Sequence, residues 1–313
     1  MRRRSGLALG LLLGTALDAA IADPRRGHPV AGFGRAASLM ENKVWADSRT
    51  RGAVFTVSCV GAAVLAGAVL QRLARRSPAI GVTVTALSAW TVLGGTSLVA
   101  EASAAAAAVT SGDLAAARRR LPALCGRDPG GLSEPELVRA TVESVAENTC
   151  DAVVAPLCWG AVCGLPGLLG YRAVNTLDAM IGHRSPRYER FGWAAARLDD
   201  AANLVPARLT ALLTAVLAPA VSGSARRALR TVLRDSGAHP SPNAGRCEAA
   251  FAGALDVRLG GVNRYQGQVE RRGTLGDGPP PAARDIGRAT RLCRLVTGTT
   301  AALAAAWAAG GVR

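Results

Sequence analysis

Three carboxylates, Glu143, Glu147 and Asp151, stand four residues apart in the segment ESVAENTCD. On a helix they share one face. Each like-charge i,i+4 contact is unfavourable by roughly 0.2–0.5 kcal/mol, so a chain that stacks three of them is expected to offer them a cation. A second acidic pair, Asp199-Asp200, precedes Asn203 and is flanked by Arg197 and Arg208. Oxygen ligands of this kind suit Mg²⁺, and Mg²⁺ would bring phosphates. Helix caps and ion pairs are the plainer use of the same residues. Between the two acidic groups lie Arg172, Asn175, Asp178, Arg184, Arg187 and Tyr188. Carboxylates, amides and arginines packed beside a broken apolar segment read as a site at a membrane surface.

The elements that must position these residues are apolar and helical. Half of the 313 residues are apolar and the mean hydropathy is +0.22. Apolar runs cover residues 7–22, 53–70, 79–100, 152–174, 204–221 and 293–310, several of them reaching the roughly 17–25 residues a spanning helix needs. The expected fold class is therefore all-α, a polytopic integral membrane protein with about four to six apolar segments, read as one domain over 1–313 with a long polar region at 222–292. The first run follows Arg2, Arg3 and Arg4 like a signal peptide. Asp18 inside it, and the lack of a small-residue cleavage site, argue for a retained helix. The fourth run carries Pro156, Gly160, Gly164, Pro166 and Gly167 and is expected to be broken or re-entrant, as non-helical backbone at membrane depth must be buried in protein or line a cavity. Arginines in every connection leave orientation open. Ser133-Glu134-Pro135-Glu136 is a helix start, with a serine cap, a proline and acids in the first turn. That helix carries Glu143 and Glu147.

Composition excludes several classes. The formal charge of +15 is almost all arginine, since Lys43 is the only lysine, and aromatics are 4% with no basic stripe among them. No nucleic-acid partner is expected. The seven cysteines form no CxxC pair and the three histidines are far apart, so neither a zinc site nor a disulfide framework is expected. No Walker A loop, GxSxG or HExxH occurs. Two polar stretches remain. Arg234 to Gly245, with His239, Ser241 and Asn243, is too rich in Pro, Gly and Ser for a helix, and its hydroxyls, amide and backbone N–H groups could cradle an anion. Gly260 to Tyr265, with Asn263, reads as a second loop of that kind, and Ala249–Leu255 as a short helix between them. Near the start, Asp23-Pro24-Arg25-Arg26-Gly27-His28-Pro29-Val30, followed by Arg35, could receive phosphate.

The segments ESVAENTCD, APL, YRAVNTLDAMIG, RYERFGWAAARLDDAANLVPARLTALL, HPSPNAG and LGGVNRY together resemble the CobD/CbiB family of cobalamin biosynthesis. The likeness runs from Asp18 through Leu275-Gly276. Departures from the family pattern fall at Cys150, Ala152, Arg246, Arg264 and Gln266, and none removes a carboxylate or an amide. The resemblance implies a multi-pass protein of the inner (cytoplasmic) cell membrane and an amide-forming step. That step joins adenosylcobyric acid to (R)-1-aminopropan-2-ol phosphate or a related amino-alcohol phosphate, with ATP as energy source and cobalt only as part of the corrinoid. Partners would be these substrates, the lipid bilayer and later enzymes of the nucleotide-loop pathway.

Chemistry applied to the matching motifs gives the expected site. Glu143, Glu147, Asp151, Asp199, Asp200 and His239 are the candidate catalytic groups, with Glu147, Asp151, Asp199 and Asp200 as Mg²⁺ ligands. Arg172, Arg184, Arg187 and Arg197 could hold phosphates bidentately. The remaining candidate substrate contacts are His28, Arg35, Asn148, Asn175, Asp178, Tyr188, Asn203, Arg208, Ser241, Asn243 and Asn263. A carboxylate or His239 would take the proton of the attacking ammonium. The rival readings are a transporter for corrinoid intermediates, suggested by the broken apolar segment, and a membrane scaffold for later enzymes.

Overall fold

The computed structural model describes residues 2–23, 27–183, 185–265 and 268–310. The expected helical architecture is present. Five helical segments are long and apolar enough to cross a membrane, Arg49–Ala74, Pro78–Thr110, Glu134–Gly182, Leu204–Val221 and Ala283–Gly310, and a shorter apolar helix covers Ser5–Ile21. This is the pattern of a multi-pass membrane protein. The chain forms two compact units, each discontinuous in sequence.

The first unit comprises residues 1–94, 151–203 and 300–313. Its helices are α1 (Arg2–Ile21), α2 (Pro29–Val44), α3 (Arg49–Ala74), α4 (Pro78–Val92), and further on α8 (Ala155–Leu177) and α9 (Trp193–Ala202). Helix α1 packs along α4 because Gly10 and Gly14 put no side chain in the way. A Cβ at either glycine would run into Thr85 or Ala89, the small-residue contact that lets helices approach closely in lipid. Leu11, Leu93, Leu157, Leu165 and Leu168 centre one buried cluster, and Phe55, Leu177, Ile181 and Phe191 another. The break expected in the fourth apolar run lies at Gly164, whose φ of +68° interrupts α8 two residues before Pro166. The Gln71 side chain of α3 accepts from Leu165 N–H at 3.1 Å. The amide freed by the break is thus satisfied from the neighbouring helix.

The second unit comprises residues 95–150 and 204–299. It holds α5 (Gly95–Thr110), α6 (Leu114–Arg120), α7 (Glu134–Thr149), α10 (Leu204–Leu217), α11 (Ala225–Asp235), α12 (Ala244–Leu255) and the start of α13 (Ala283–Gly310). The start of α7 is the one read from sequence: Glu136 accepts from both N–H and hydroxyl of Ser133. Gly260 to Tyr265 is not a loop. Strand β1 (Leu259–Tyr265) pairs antiparallel with β2 (Gln268–Leu275), with an irregularity between Gly260 and Gly261 where both φ angles are positive. The strand was hidden because its partner QVERRGTL is polar, and strand preference depends on packing more than on residue type. A lone hairpin is marginal in water. This one is held by Arg139 of α7, which donates to the carbonyls of Gly260 and Val262.

Candidate functional site

The second unit buries an acid–base cluster on α7, α12 and the hairpin. Glu143, 2% exposed, accepts from the Arg127 guanidinium and from Gly260 N–H at 2.6 Å, with Arg139 at 3.7 Å. Glu147, one turn further along α7, lies within electrostatic reach of Arg272 and Arg127. Glu248 on α12 is 1% exposed, with His239 Nε2 at 3.5 Å and an Arg272 Nη at 3.9 Å. Arg272 donates to His239 Nε2 at 2.9 Å. The other ring nitrogen, Nδ1, is met by Ser241 N–H at 3.0 Å and by the Ser241 carbonyl at 3.2 Å. Burial, and then Arg272, pushes His239 down to about 4. Burial, then the nearby Glu143 and Glu147, holds Glu248 well above the usual carboxylate range.

This region also concentrates polar atoms that the protein leaves without hydrogen bonds. Among the described residues, both carboxylate oxygens of Glu248, both amide atoms of the buried Asn263 and Nε of Arg246 have none. Each costs about 1–3 kcal/mol if left dry. A polar ligand or water belongs among them.

The first unit presents a different arrangement. A cavity of about 750 Å³ is lined by His28, Gly34, Arg35 and Ser38 of α2 and its cap, and by Arg172, Thr176 and Met180 at the end of α8 and just beyond. His28 caps α2, accepting from Val30 N–H at 3.1 Å while facing Asp23 at 3.3 Å. Arg172 reaches Asn175 Oδ1 at 3.4 Å, and Asn175 in turn donates to Asp151 at 3.3 Å. Separately, Tyr171 donates to Asn203 Oδ1 and Asn203 to Asp199 Oδ2, each at 2.9 Å. The Tyr188 hydroxyl and Arg187 both donate to Glu41, at 2.9 and 3.0 Å.

The family model described as CobD/Cbib protein matches residues 11–293. The chain belongs to that family. It is 56% identical over 297 residues to a cobalamin biosynthesis protein CobD of Mycobacterium tuberculosis, covering 95% of this chain and 94% of that protein. It is 45% identical over 287 residues to a protein of the same name from Geobacter metallireducens, covering 90% of each, and 43% identical over 276 residues to one from Rhodobacter capsulatus, covering 86% of each. No solved structure matches.

In this CobD/Cbib chain the expected site residues fall into both units. Glu143, Glu147, His239, Ser241, Asn243 and Asn263 lie in the second, as do Asn148 and Arg208. Asn148 donates to the Ser144 carbonyl at 2.9 Å, and Arg208 to the Leu204 carbonyl at 2.5 Å. Ser241 Oγ accepts from the N–H groups of Asn243 and Ala244 at the start of α12. His28, Arg35, Asp151, Arg172, Asn175, Asp178, Tyr188, Arg197, Asp199, Asp200 and Asn203 lie in the first. Arg184 and residues 24–26 lie outside the described residues.

The carboxylates expected to hold Mg²⁺ have partners within the protein. Among the described residues no three His, Cys, Asp or Glu side chains are placed to hold a metal. The cation at Glu143 is guanidinium, from Arg127 and Arg139. Asp151 and Asp199 receive amide hydrogens, and Asp200 pairs with Arg197 at 3.7 Å. Arg187 is likewise spent on Glu41, and His239 holds Arg272 rather than standing as a free base. The sequence reading missed Arg127, Arg139, Glu248 and Arg272. One signal was available for Glu248: it is the only acid in α12, whose other residues after Arg246 are small or apolar.

Proposed function

We propose that this protein is an enzyme of cobalamin biosynthesis in the cytoplasmic membrane. In this reading it joins the carboxylate of adenosylcobyric acid to the amine of (R)-1-aminopropan-2-ol phosphate, giving adenosylcobinamide phosphate. The names of its relatives support the pathway, and the buried Glu–Arg–His cluster of the second unit is the observation that carries the chemistry. An amide does not form from a carboxylate and an ammonium in water, so the carboxylate needs activation. ATP would phosphorylate it, releasing ADP; the amine would then attack the acyl phosphate and expel inorganic phosphate. Glu147, the least buried acid of the cluster, is suited to take the ammonium proton. Arg272 and Arg127 would hold negative charge that develops on the carbonyl or the leaving phosphate. No step is assigned to a protein-bound Mg²⁺.

The test is to incubate the purified full chain with both substrates and Mg-ATP and to look for adenosylcobinamide phosphate by mass. Product that disappears in Glu147→Ala supports the reading. A folded protein that binds corrinoid but forms no product would favour a scaffold or carrier instead.

A further inference from the structure

We propose that the cavity between α2 and the end of α8 is a phosphate-binding site in which Arg172 and Arg35 hold the anion. Both arginines line the cavity and, among the described residues, no aspartate or glutamate does. Arg172 is the less exposed of the two, half-buried: among the described residues its Nε has no hydrogen-bond partner, and its bond to Asn175 is long at 3.4 Å. A guanidinium presents five N–H donors in a planar fork. Inside a protein such a fork calls for an acceptor with paired oxygens, which a phosphate supplies. Arg35 is exposed at the rim and can close on a second face of the same group.

The backbone points the same way. His28 fixes the start of the 16-residue α2, and Val30 and Ala31 in its first turn are part of the cavity wall. The positive end of a helix favours phosphate. Ser38 and Thr176 add hydroxyls, while Leu39 and Met180 leave an apolar side for the organic part of a ligand. The volume of about 750 Å³ lies in the range of small-molecule pockets, roughly 300–1,000 Å³. The ligand class is a phosphorylated small molecule. Two sources fit that chemistry, a phosphate monoester such as an amino-alcohol phosphate and the terminal phosphates of a nucleotide. The assignment of the site stands on this geometry alone; its place in amide formation rests on the reading above.

Gly34 provides a test independent of charge. A Cβ there would meet Met180 and Thr176 only at 3.8 and 3.9 Å, ordinary contact distances, so Gly34→Ala fits while Gly34→Leu fills the cavity. The measurement is calorimetric binding to the full chain in nanodiscs, without turnover. The probes are (R)-1-aminopropan-2-ol phosphate, the same amine without phosphate, inorganic phosphate and a non-hydrolysable ATP analogue. The expected result is that a phosphorylated probe binds and the unphosphorylated amine does not. Arg35→Gln should weaken that binding about 10-fold, and Arg172→Gln about 10- to 100-fold. Gly34→Leu should abolish it and Gly34→Ala should not. Arg172→Lys, which keeps the charge without the fork, serves if Arg172→Gln does not fold. Loss confined to the amino-alcohol phosphate names the monoester as occupant, and loss confined to the ATP analogue names the nucleotide. Binding unchanged in Arg35→Gln, Arg172→Lys and Gly34→Leu overturns the proposal. Product formation with phosphate binding intact in all variants would sink this site and leave the enzyme reading standing; binding lost as expected in a protein that makes no product would do the reverse.

Discussion

Arg172 and Arg35 of the first unit face a cavity with no acid among the described residues of its wall, whereas Arg127, Arg139 and Arg272 of the second are committed to buried carboxylates, carbonyls and an imidazole. The same residue type therefore has two physical uses in one chain. An arginine facing a cavity costs little to fold and is available to a ligand. An arginine buried with a carboxylate is set by the fold, and removing its partner leaves a charge that water cannot reach. Variants in the first region should change binding and spare stability; variants in the second should change both.

The largest effect is expected at Glu143. Glu143→Ala leaves Arg127, 7% exposed, without its carboxylate and frees the Gly260 amide, and should cost about 3–5 kcal/mol. Thermal unfolding of the detergent-solubilised protein measures it. A loss of under about 1 kcal/mol would mean that the pair is not buried as described.

His239 gives a pH test. Its pKa is lowered to about 4 in the folded protein from 6.5 in the unfolded chain, so between these values the unfolded chain binds more protons. This contribution is complete above pH 6.5 and is lost as the pH falls toward 4. By pH 5 about 2 kcal/mol of it has been lost. Glu248, whose folded pKa is raised, works in the opposite direction over the acid range, so the comparison must be with His239→Gln. The wild type should lose more stability than that variant between pH 7 and pH 5; equal losses would contradict the neutral, Arg272-bound imidazole.

Glu248→Gln sharpens the contrast with Glu143. Burial and the neighbouring Glu143 and Glu147 disfavour the charged form of Glu248, so an amide of the same shape should alter stability by less than about 1 kcal/mol. Unfolding midpoints of the two variants side by side decide this. The smallest effect is expected at exposed Arg35, where Arg35→Gln should stay within about 0.5 kcal/mol of wild type while weakening phosphate binding. A large drop in melting temperature would place Arg35 with the buried arginines instead.

Local patterns in the sequence were legible and distant pairings were not. The apolar runs, the Ser133–Glu136 helix start and the break at Gly164–Pro166 each depend on neighbours within a few residues, and each is present in the structure. The acidic face of α7 was recognised for needing a cation, but its partners come from Arg127 and the hairpin backbone, the latter 117 residues away. Spacing could not distinguish that guanidinium from a metal. Arg187 and Tyr188 meet Glu41 across 146 and 147 residues, so two candidate ligand contacts were already engaged within the protein. The hairpin was unreadable for another reason, since strand β2 is polar and its pairing is decided by the helices beneath it.

The most direct test of amide formation follows the oxygen atoms. Adenosylcobyric acid carrying ¹⁸O in both oxygens of its carboxylate would be turned over with aminopropanol phosphate and Mg-ATP. Activation by phosphorylation predicts one ¹⁸O in the released inorganic phosphate and one in the new amide. Label in AMP would show activation by adenylylation, and the absence of both labelled phosphate and amide product would contradict the account.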